Sequence, residues 1–560
     1  VHLSLNVFSS IALLPENPVS TSRQSALSLL DHVCSQVTST LAARVAKAGR
    51  FDRRAFDELQ PEAFEFARIL GEREGARAVV RFAESKQASA YDADLADVYL
   101  AMSLQRLAGS LTAFQDSFGV LITTSDFAES LAWSRQVMAT ANLRRIAETL
   151  SERATEQSGS LQLGPDYAEV RRTFQRFADQ RVEPLAEAIH REDLIIPEDL
   201  LKDLADLGVF GISIPEEYGG TFVDNLTMCI ATEELSRASL GAGGSVITRP
   251  EICAKAVLKG GTEEQKQHWL PAIASGETLV SVAVTEPNAG SDVASLRVTA
   301  RKVDGGYHID GEKTWCTFAG RANVFILLAR TGSAADGARG LTLFLVEKPA
   351  KISTDDHHTF SHRQPEGGTV EGHAIPTIGY RGMHSFSVSF DSYFVPDANR
   401  IGAEGDGFAL QMEGFAGGRI QTAARAVGVM EAAFRKAVRY ASERKVFGAP
   451  LREYALSVSK LVRMAALIHA SRRLSYDVAV MMDNHEGQME ASLVKLISCK
   501  DAEWVTREAM QLHGGMGYSL EYAVSRHWED ARVLSIFEGA EEVLALYVVA
   551  RQALRDAIEG

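Results

Sequence analysis

The chain has 560 residues, enough for three or four compact units at roughly 150 residues each. Its hydrophobic fraction of 46% and charged fraction of 23% are those of an ordinary globular protein, and no apolar run approaches the roughly 20 residues that span a bilayer. A formal charge of −15 without clustered Lys and Arg disfavours nucleic acid as a partner, because a phosphate backbone is held by basic patches. Cys34, Cys229, Cys253, Cys316 and Cys499 are scattered with no C-x-x-C, so neither a disulfide framework nor a zinc site is expected. A reducing cytoplasm fits that usage.

Residues 1–14 are fairly apolar but carry no basic leader or small-residue cleavage site, which predicts a loosely packed terminus and not a signal peptide. Leu27, Leu30, Val33, Val37, Leu41 and Val45 recur at helical steps, and Gly49 follows as a stop. Further helices are predicted from Pro61 to about Leu70, from Asp92 to about Phe118, and from Asp126, with Glu129 in a capping pair, into the 150s. Residues 1–155 thus read as an all-helical extension with Leu and Ala packing stripes and no chemistry. The polar, Gly- and Pro-bearing stretch at 155–165 marks a boundary.

Helical periodicity returns over 165–279, with a turn at Gly219-Gly220. At Leu279 the pattern changes to short runs rich in β-branched and aromatic residues, and Asp304-Gly305-Gly306 is a hairpin signal between two of them. Residues 280–400 read as a mainly antiparallel β unit with a long polar insertion at 349–376. Its His357, His358, His362 and His373 have no helix to fix their spacing, so no metal is expected. From 405 to 560 the chain reads as a helical bundle, with long periodic segments near 407–443, 453–484 and 488–513.

Chemistry-bearing motifs lie on this frame. TEPNAGSD at 285–292 combines hydroxyls and a glycine that can present backbone donors to an anion. In GEKTWCT at 311–317, Trp315 and Thr317 share a strand face, so an indole and a hydroxyl could meet a planar heterocycle. ERKVFG at 443–448 is followed by QLHGGMGY at 511–518, whose glycines let a diphosphate approach the backbone without forming a dinucleotide fingerprint or P-loop. Finally IFEGAEE at 536–542 sets Glu538 between an apolar approach and Gly539, which desolvates the carboxylate and makes it a candidate base.

In this order and at these separations the five motifs resemble the acyl-CoA dehydrogenase family over about residues 165–555. The resemblance implies a helical domain, a β domain and a C-terminal helical bundle, with the N-terminal extension as an addition. It also implies non-covalent FAD, an acyl-CoA thioester substrate, an electron-transferring flavoprotein as acceptor, and a homodimer in which the extension covers a surface other members use to form tetramers.

Carried over by position, Glu538 would be the base that takes the substrate α-proton. Thr285 and Ser291 would lie along flavin and substrate, Trp315 and Thr317 beside the isoalloxazine, and Arg444, Phe447, Gln511, Gly515 and Glu542 on the rest of FAD. Phe415, Arg419, Gly539 and Arg249 would join Ser291 at the substrate. Some members carry the base on the helix that here reads Ala416-Gly417-Gly418-Arg419, where Gly418 leaves Glu538 without a rival. Ala540 and Ala455 stand where Thr and Gln are usual FAD contacts, and Phe537 replaces a frequent Tyr. The substrate expected is a short branched acyl-CoA. Arg249, alone in a small apolar stretch, would meet a distal carboxylate or else turn outward to Glu251. An oxidase passing electrons to O2 and a non-enzymatic acyl-CoA-binding scaffold remain the alternatives.

Overall fold

The computed structural model describes residues 22–120, 125–152, 158–350 and 357–560. The expectation for residues 1–14 and part of the expected boundary at 155–165 lie outside them.

The first helix, Arg23–Val45, is capped by the Ser22 side chain and ends in a small hairpin at Gly49. The helix expected from Pro61 runs over Gln60–Ala83, much further than Leu70, because Gly71 and Gly75 sit inside it at close helix crossings. Ala90–Ala113 follows behind a Ser89–Asp92 capping box, with a separate short turn at Gln115–Phe118. The single helix expected to reach the 150s is two, Ser125–Val137 and Thr140–Glu152.

These helices share one hydrophobic core with the C-terminal bundle: Leu70, Val79, Tyr99 and Leu104 belong to the same buried cluster as Val462, Leu467, Val505 and Val549. The linker is stitched in by polar groups as well. Asp92 accepts from the Ser160 N–H at 2.7 Å, and the Ser158 hydroxyl donates to Glu431 at 2.9 Å. Glu431 in turn accepts from Arg472, whose Nε donates to Glu233 at 2.9 Å while Tyr476 donates to the second Glu233 oxygen. All four of Glu233, Glu431, Arg472 and Tyr476 are buried, so this network holds the helices around 225–238, 407–443 and 455–483 in a fixed relation.

Among the described residues the central sheet has nine strands. From one edge the order is Arg400–Ile401, Leu341–Glu347, Val324–Arg330, Thr299–Val303, Gly306–Thr317, Ser385–Pro396, Thr369–Ile375 and Thr359–Arg363. Most neighbours are antiparallel, and the Asp304-Gly305 turn joins two of them as expected. The sheet is nonetheless mixed, since Val280–Ala283 pairs parallel with Val324–Arg330.

The 349–376 insertion is not a loop throughout. Two of the edge strands, Thr359–Arg363 and Thr369–Ile375, form a hairpin within it that extends the sheet, their Phe360 and Val370 turned into the β core. The expected histidines separate accordingly. His362 and His373 ride on the hairpin, whereas His357 and His358 turn to Asp193, whose carboxylate also lies 3.2 Å from His384 Nε2; one nitrogen from each of these three rings lies within 4.8 Å of the others.

The C-terminal helices Gly407–Glu443, Ala455–Asp483 and Gln488–His513 fall where the periodicity placed them. No helix of the described residues is long and apolar enough to cross a membrane.

Candidate active site

Glu538 sits in the turn between the helix Val524–Leu534 and the short Glu541–Val543 segment, at φ 55°, followed by Gly539 at φ 97°. A non-glycine residue in left-handed backbone costs about 1–3 kcal/mol unless its surroundings hold it. They do so here through Lys495, a buried residue of the Gln488–His513 helix whose ammonium donates to the Phe537 carbonyl at 2.6 Å and to the Gly539 carbonyl. Burial pulls that ammonium down to about 8 from its ordinary 10.5.

The Glu538 side chain is mostly buried, and its Oε2 has no hydrogen-bond partner among the described residues. It points at the Gly407–Glu443 helix. A Cβ added at Gly418 would stand 2.8 Å from Oε2, so the two positions that the resemblance offers for a base converge on one point in space, and glycine at the second leaves room for the carboxylate of the first. Arg419, next on that helix, donates to Ser492 Oγ at 3.2 Å; burial lowers its pKa, and the charge of Glu538 opposes that shift. Phe415 is half-buried one turn earlier. The pocket wall continues with Phe537, whose ring meets that of Tyr380 edge-on at 5.5 Å and lies 4.8 Å beneath the Arg425 guanidinium.

Arg249 does not turn outward. It is 6% exposed, donating to the Ser245 carbonyl at 2.7 Å and to the Tyr380 hydroxyl at 2.8 Å, while Glu251 is engaged by Lys255 and Gln421.

A second group forms where the helices give way to the sheet. The Thr314 N–H donates to the Thr285 carbonyl at 2.8 Å, and buried Lys313 donates to Glu286 at 2.8 Å and to the Val284 carbonyl at 2.9 Å, stapling TEPNAGSD to GEKTWCT. Glu286 also accepts the N–H groups of Arg297 and Val298. The strand bulges between Lys313 and Cys316, and Trp315, at φ 58°, is turned outward and 54% exposed. Thr317 shares its face, with Cys316 buried between them, and its hydroxyl is 2.9 Å from that of Ser385. Ser291 is exposed at the end of its turn.

The remaining expected residues are surface groups on other segments. Phe447 tops the Lys445–Val446 and Ala449–Pro450 hairpin, 98% exposed at φ 49°, beside exposed Arg444. Gln511, Gly515 and Glu542 are exposed as well.

Domain-family comparison matches residues 164–277 to the acyl-CoA dehydrogenase N-terminal domain, 281–392 to the middle domain and 405–554 to the C-terminal domain. The chain belongs to the acyl-CoA dehydrogenase family. It is 42% identical to (2S)-methylsuccinyl-CoA dehydrogenase of Cereibacter sphaeroides over 416 residues, 74% of each chain. Among solved structures it is similar to butyryl-CoA dehydrogenase of Megasphaera elsdenii (TM-score 0.64, 31% identity, 71% of this chain and 100% of that one). It is equally similar to a chain from the structural study of the electron transferring flavoprotein of Acidaminococcus fermentans (TM-score 0.64, 30% identity, 71% and 100%).

The protein is therefore an FAD-dependent oxidoreductase, and its donor set fits a flavin nucleotide. An outward indole beside a hydroxyl suits a flat ring system, and Arg444 offers an exposed guanidinium. At Gly448 and Gly515 no atom lies within 4 Å of where a Cβ would stand, so a diphosphate can reach the backbone.

The sequence reading missed five residues of this region. Lys495 and Tyr380 lie outside every motif; Glu286 and Lys313 lie inside two of them and were passed over; Arg425 reads as one more helix former in an alanine-rich stripe. An arginine amid AARAVGVM, on a helix with no acidic residue one turn away on either side, was the available signal.

Proposed function

We propose that this enzyme dehydrogenates (2S)-methylsuccinyl-CoA to mesaconyl-CoA, acting on a short branched acyl-CoA that carries a second carboxylate. The observation that carries the chemistry is the Glu538 carboxylate, mostly buried, with an unpartnered oxygen facing the space that Gly418 leaves open. A carboxylate so desolvated accepts the α-proton of a thioester held against it, and the Glu538 backbone N–H donates to the thioester oxygen as enolate charge develops. FAD, when bound, supplies the acceptor for the β-hydride. Trp315, Thr317, Thr285 and Ser291 hold its flavin end, and Arg444, Phe447, Gln511, Gly515 and Glu542 the remainder. Phe415, Arg419 and Gly539 border the acyl thioester.

The choice of a dicarboxylyl substrate is supported by the 42% identical relative and by Arg249, which is buried against Ser245 and Tyr380 and not neutralised at the surface. Electrons pass onward to an electron-transferring flavoprotein. The enzyme works as a homodimer of chains divided into an extension at 1–155, a helical domain at 165–279, a β domain at 280–400 and a bundle at 405–560. The near-complete exposure of Phe447 and the outward hairpin that bears it are what a shared cofactor site between two chains would use. Five buried free cysteines suit a reducing cytoplasm.

Anaerobic titration with a panel of acyl-CoA thioesters, followed by flavin absorbance, tests the assignment: bleaching by 2-methylsuccinyl-CoA at lower concentration than by straight-chain monocarboxylyl thioesters is expected, and the reverse order refutes the substrate. Glu538→Gln keeps FAD and ligand binding and loses about a hundred- to ten-thousand-fold in kcat; turnover within a few-fold of wild type removes Glu538 from the role of base.

A further inference from the structure

Arg425 is among the largest fully buried side chains of the chain, and it is poorly satisfied. Its Nη2 donates to Thr422 Oγ1 at 2.6 Å, one turn earlier on the same helix, but its Nε and Nη1 are buried with no hydrogen-bond partner among the described residues. Charged groups are seldom taken out of water without a partner, since the cost is several kcal/mol. The nearest carboxylate to Arg425 is Glu538, Oε1 to Nη2 at 4.0 Å, which is too long for a hydrogen bond. Burial accordingly draws the Arg425 guanidinium below its ordinary range, with Tyr380 and Glu538 opposing the shift and the charge of Arg249 adding to it. Thus two buried guanidiniums, Arg249 and Arg425, stand close enough to feel one another, and neither holds an acid of its own among the described residues.

Position adds a second constraint. In a 2-alkylsuccinyl thioester the free carboxyl carbon is bonded to the β-carbon, two carbon–carbon bonds from the α-carbon, about 2.5 Å away for bonds of about 1.5 Å. The base that takes the α-proton lies about 3 Å from its target. A receptor for this carboxylate must therefore sit beside the base and not at the far end of a deep pocket. Arg425 does, at 4.0 Å from Glu538 and stacked over Phe537, the residue before it. Every methylene added between the α-carbon and the carboxylate carries the anion away from this cation.

We propose that Arg425 is the direct receptor of the substrate's second carboxylate, with Arg249 hydrogen-bonded to Tyr380 as the supporting cation, and that its place beside Glu538 restricts the diacid to succinyl length. This rests on the dicarboxylyl reading given above. The substrate carboxylate accepts from the partnerless Nη1 of Arg425 and from the Tyr380 hydroxyl, whose oxygen already accepts from Arg249.

The test uses the FAD-loaded full chain, its Arg425→Met and Arg249→Met variants, and three thioesters: 2-methylsuccinyl-CoA, 2-methylglutaryl-CoA, and 2-methylbutyryl-CoA as the monoacid of matching shape. Methionine fills a buried arginine site with an apolar chain, and FAD content with the thermal midpoint establishes that each variant is folded. Arg425→Met is expected to lower kcat/KM for 2-methylsuccinyl-CoA by about 100-fold or more beyond whatever it loses on 2-methylbutyryl-CoA, the cost of truncating one side of a buried charge pair. In a Glu538→Gln background, where turnover is suppressed, the same selective loss is expected in Kd by calorimetry. Equal losses on diacid and monoacid overturn the assignment of Arg425. A diacid preference abolished by Arg249→Met and untouched by Arg425→Met overturns it too, while leaving the dicarboxylyl reading intact. Wild-type turnover of 2-methylglutaryl-CoA as efficient as that of 2-methylsuccinyl-CoA overturns the length rule. A wild-type enzyme that prefers 2-methylbutyryl-CoA overturns the dicarboxylyl reading itself.

Discussion

Replacing Lys495 by methionine tests whether the turn that bears Glu538, the proposed base, is held from the neighbouring helix. Lys495 is 1% exposed, and its pKa falls from 10.5 to about 8, chiefly because burial penalises the charged form. At neutral pH the folded and unfolded chains both carry the proton, so the penalty is fully present. As pH rises past 8 the folded chain releases the proton while the unfolded chain keeps it until 10.5, so the unfolded state binds more protons and stability climbs across that window. At about 1.4 kcal/mol per pH unit for one whole proton, partial occupancy leaves a gain of about 2 kcal/mol between pH 8 and pH 10. Urea unfolding of wild type and Lys495→Met at the two pH values isolates this increment, because other titrating groups cancel in the difference.

The same substitution removes both donors to the carbonyls flanking Glu538. With that backbone left-handed at φ 55°, the carboxylate is expected to drift, and a displacement of about 1 Å costs on the order of 100-fold in kcat. The acyl-CoA Kd should change far less, and Lys495→Arg should restore part of the rate. An unchanged pH increment, together with kcat within twofold of wild type, would refute the clamp.

Two further outcomes follow from specific contacts. Gly418→Ala places a Cβ 2.8 Å from Glu538 Oε2, so the carboxylate must swing aside; kcat should fall roughly 10- to 100-fold with FAD content intact, which steady-state kinetics and the flavin spectrum read together. Arg472→Met leaves Glu233 and Glu431 without a shared cation in a buried network, and urea unfolding should report a loss of about 3 to 5 kcal/mol.

What could be read from the sequence divides along physical lines. The long C-terminal helices were legible to within a residue or two because their apolar positions recur without interruption, and Glu538 could be singled out as a candidate because a local motif carries it. The Gln60–Ala83 helix was cut short because glycines normally weaken a helix; here Gly71 and Gly75 serve packing, with Ile497 Cγ2 and the Tyr99 hydroxyl oxygen each 2.5 Å from where a Cβ would stand. The 359–375 hairpin was hidden because one face of each strand is polar and looks outward, leaving few apolar residues to mark the alternation. Lys495, Tyr380 and Arg425 were illegible for another reason. Each meets Phe537 or Glu538 from a different element, and no local pattern records a contact that only tertiary packing creates.

That tertiary route also gives the N-terminal helices a bearing on the chemistry although they contain none of it. The helix Gln488–His513 carries Lys495 on one side and Leu493, Leu496 and Cys499 in the core it shares with Phe66, Leu70 and Tyr99. At Gly71 the approach is so close that any side chain larger than hydrogen would strike Ile497, two residues beyond Lys495. Arg81 pairs with Asp477 at 2.8 Å, and Arg144 donates to the Glu453 carbonyl at 2.9 Å, so the extension grips the adjoining Ala455–Asp483 helix and the turn before it as well. A carboxylate held in left-handed backbone needs a partner that does not move, and an ammonium on a long helix is only as fixed as the helix. By packing against that helix at Gly71 and through the core it shares with it, the extension bears on Glu538 at second hand, through the position of Lys495.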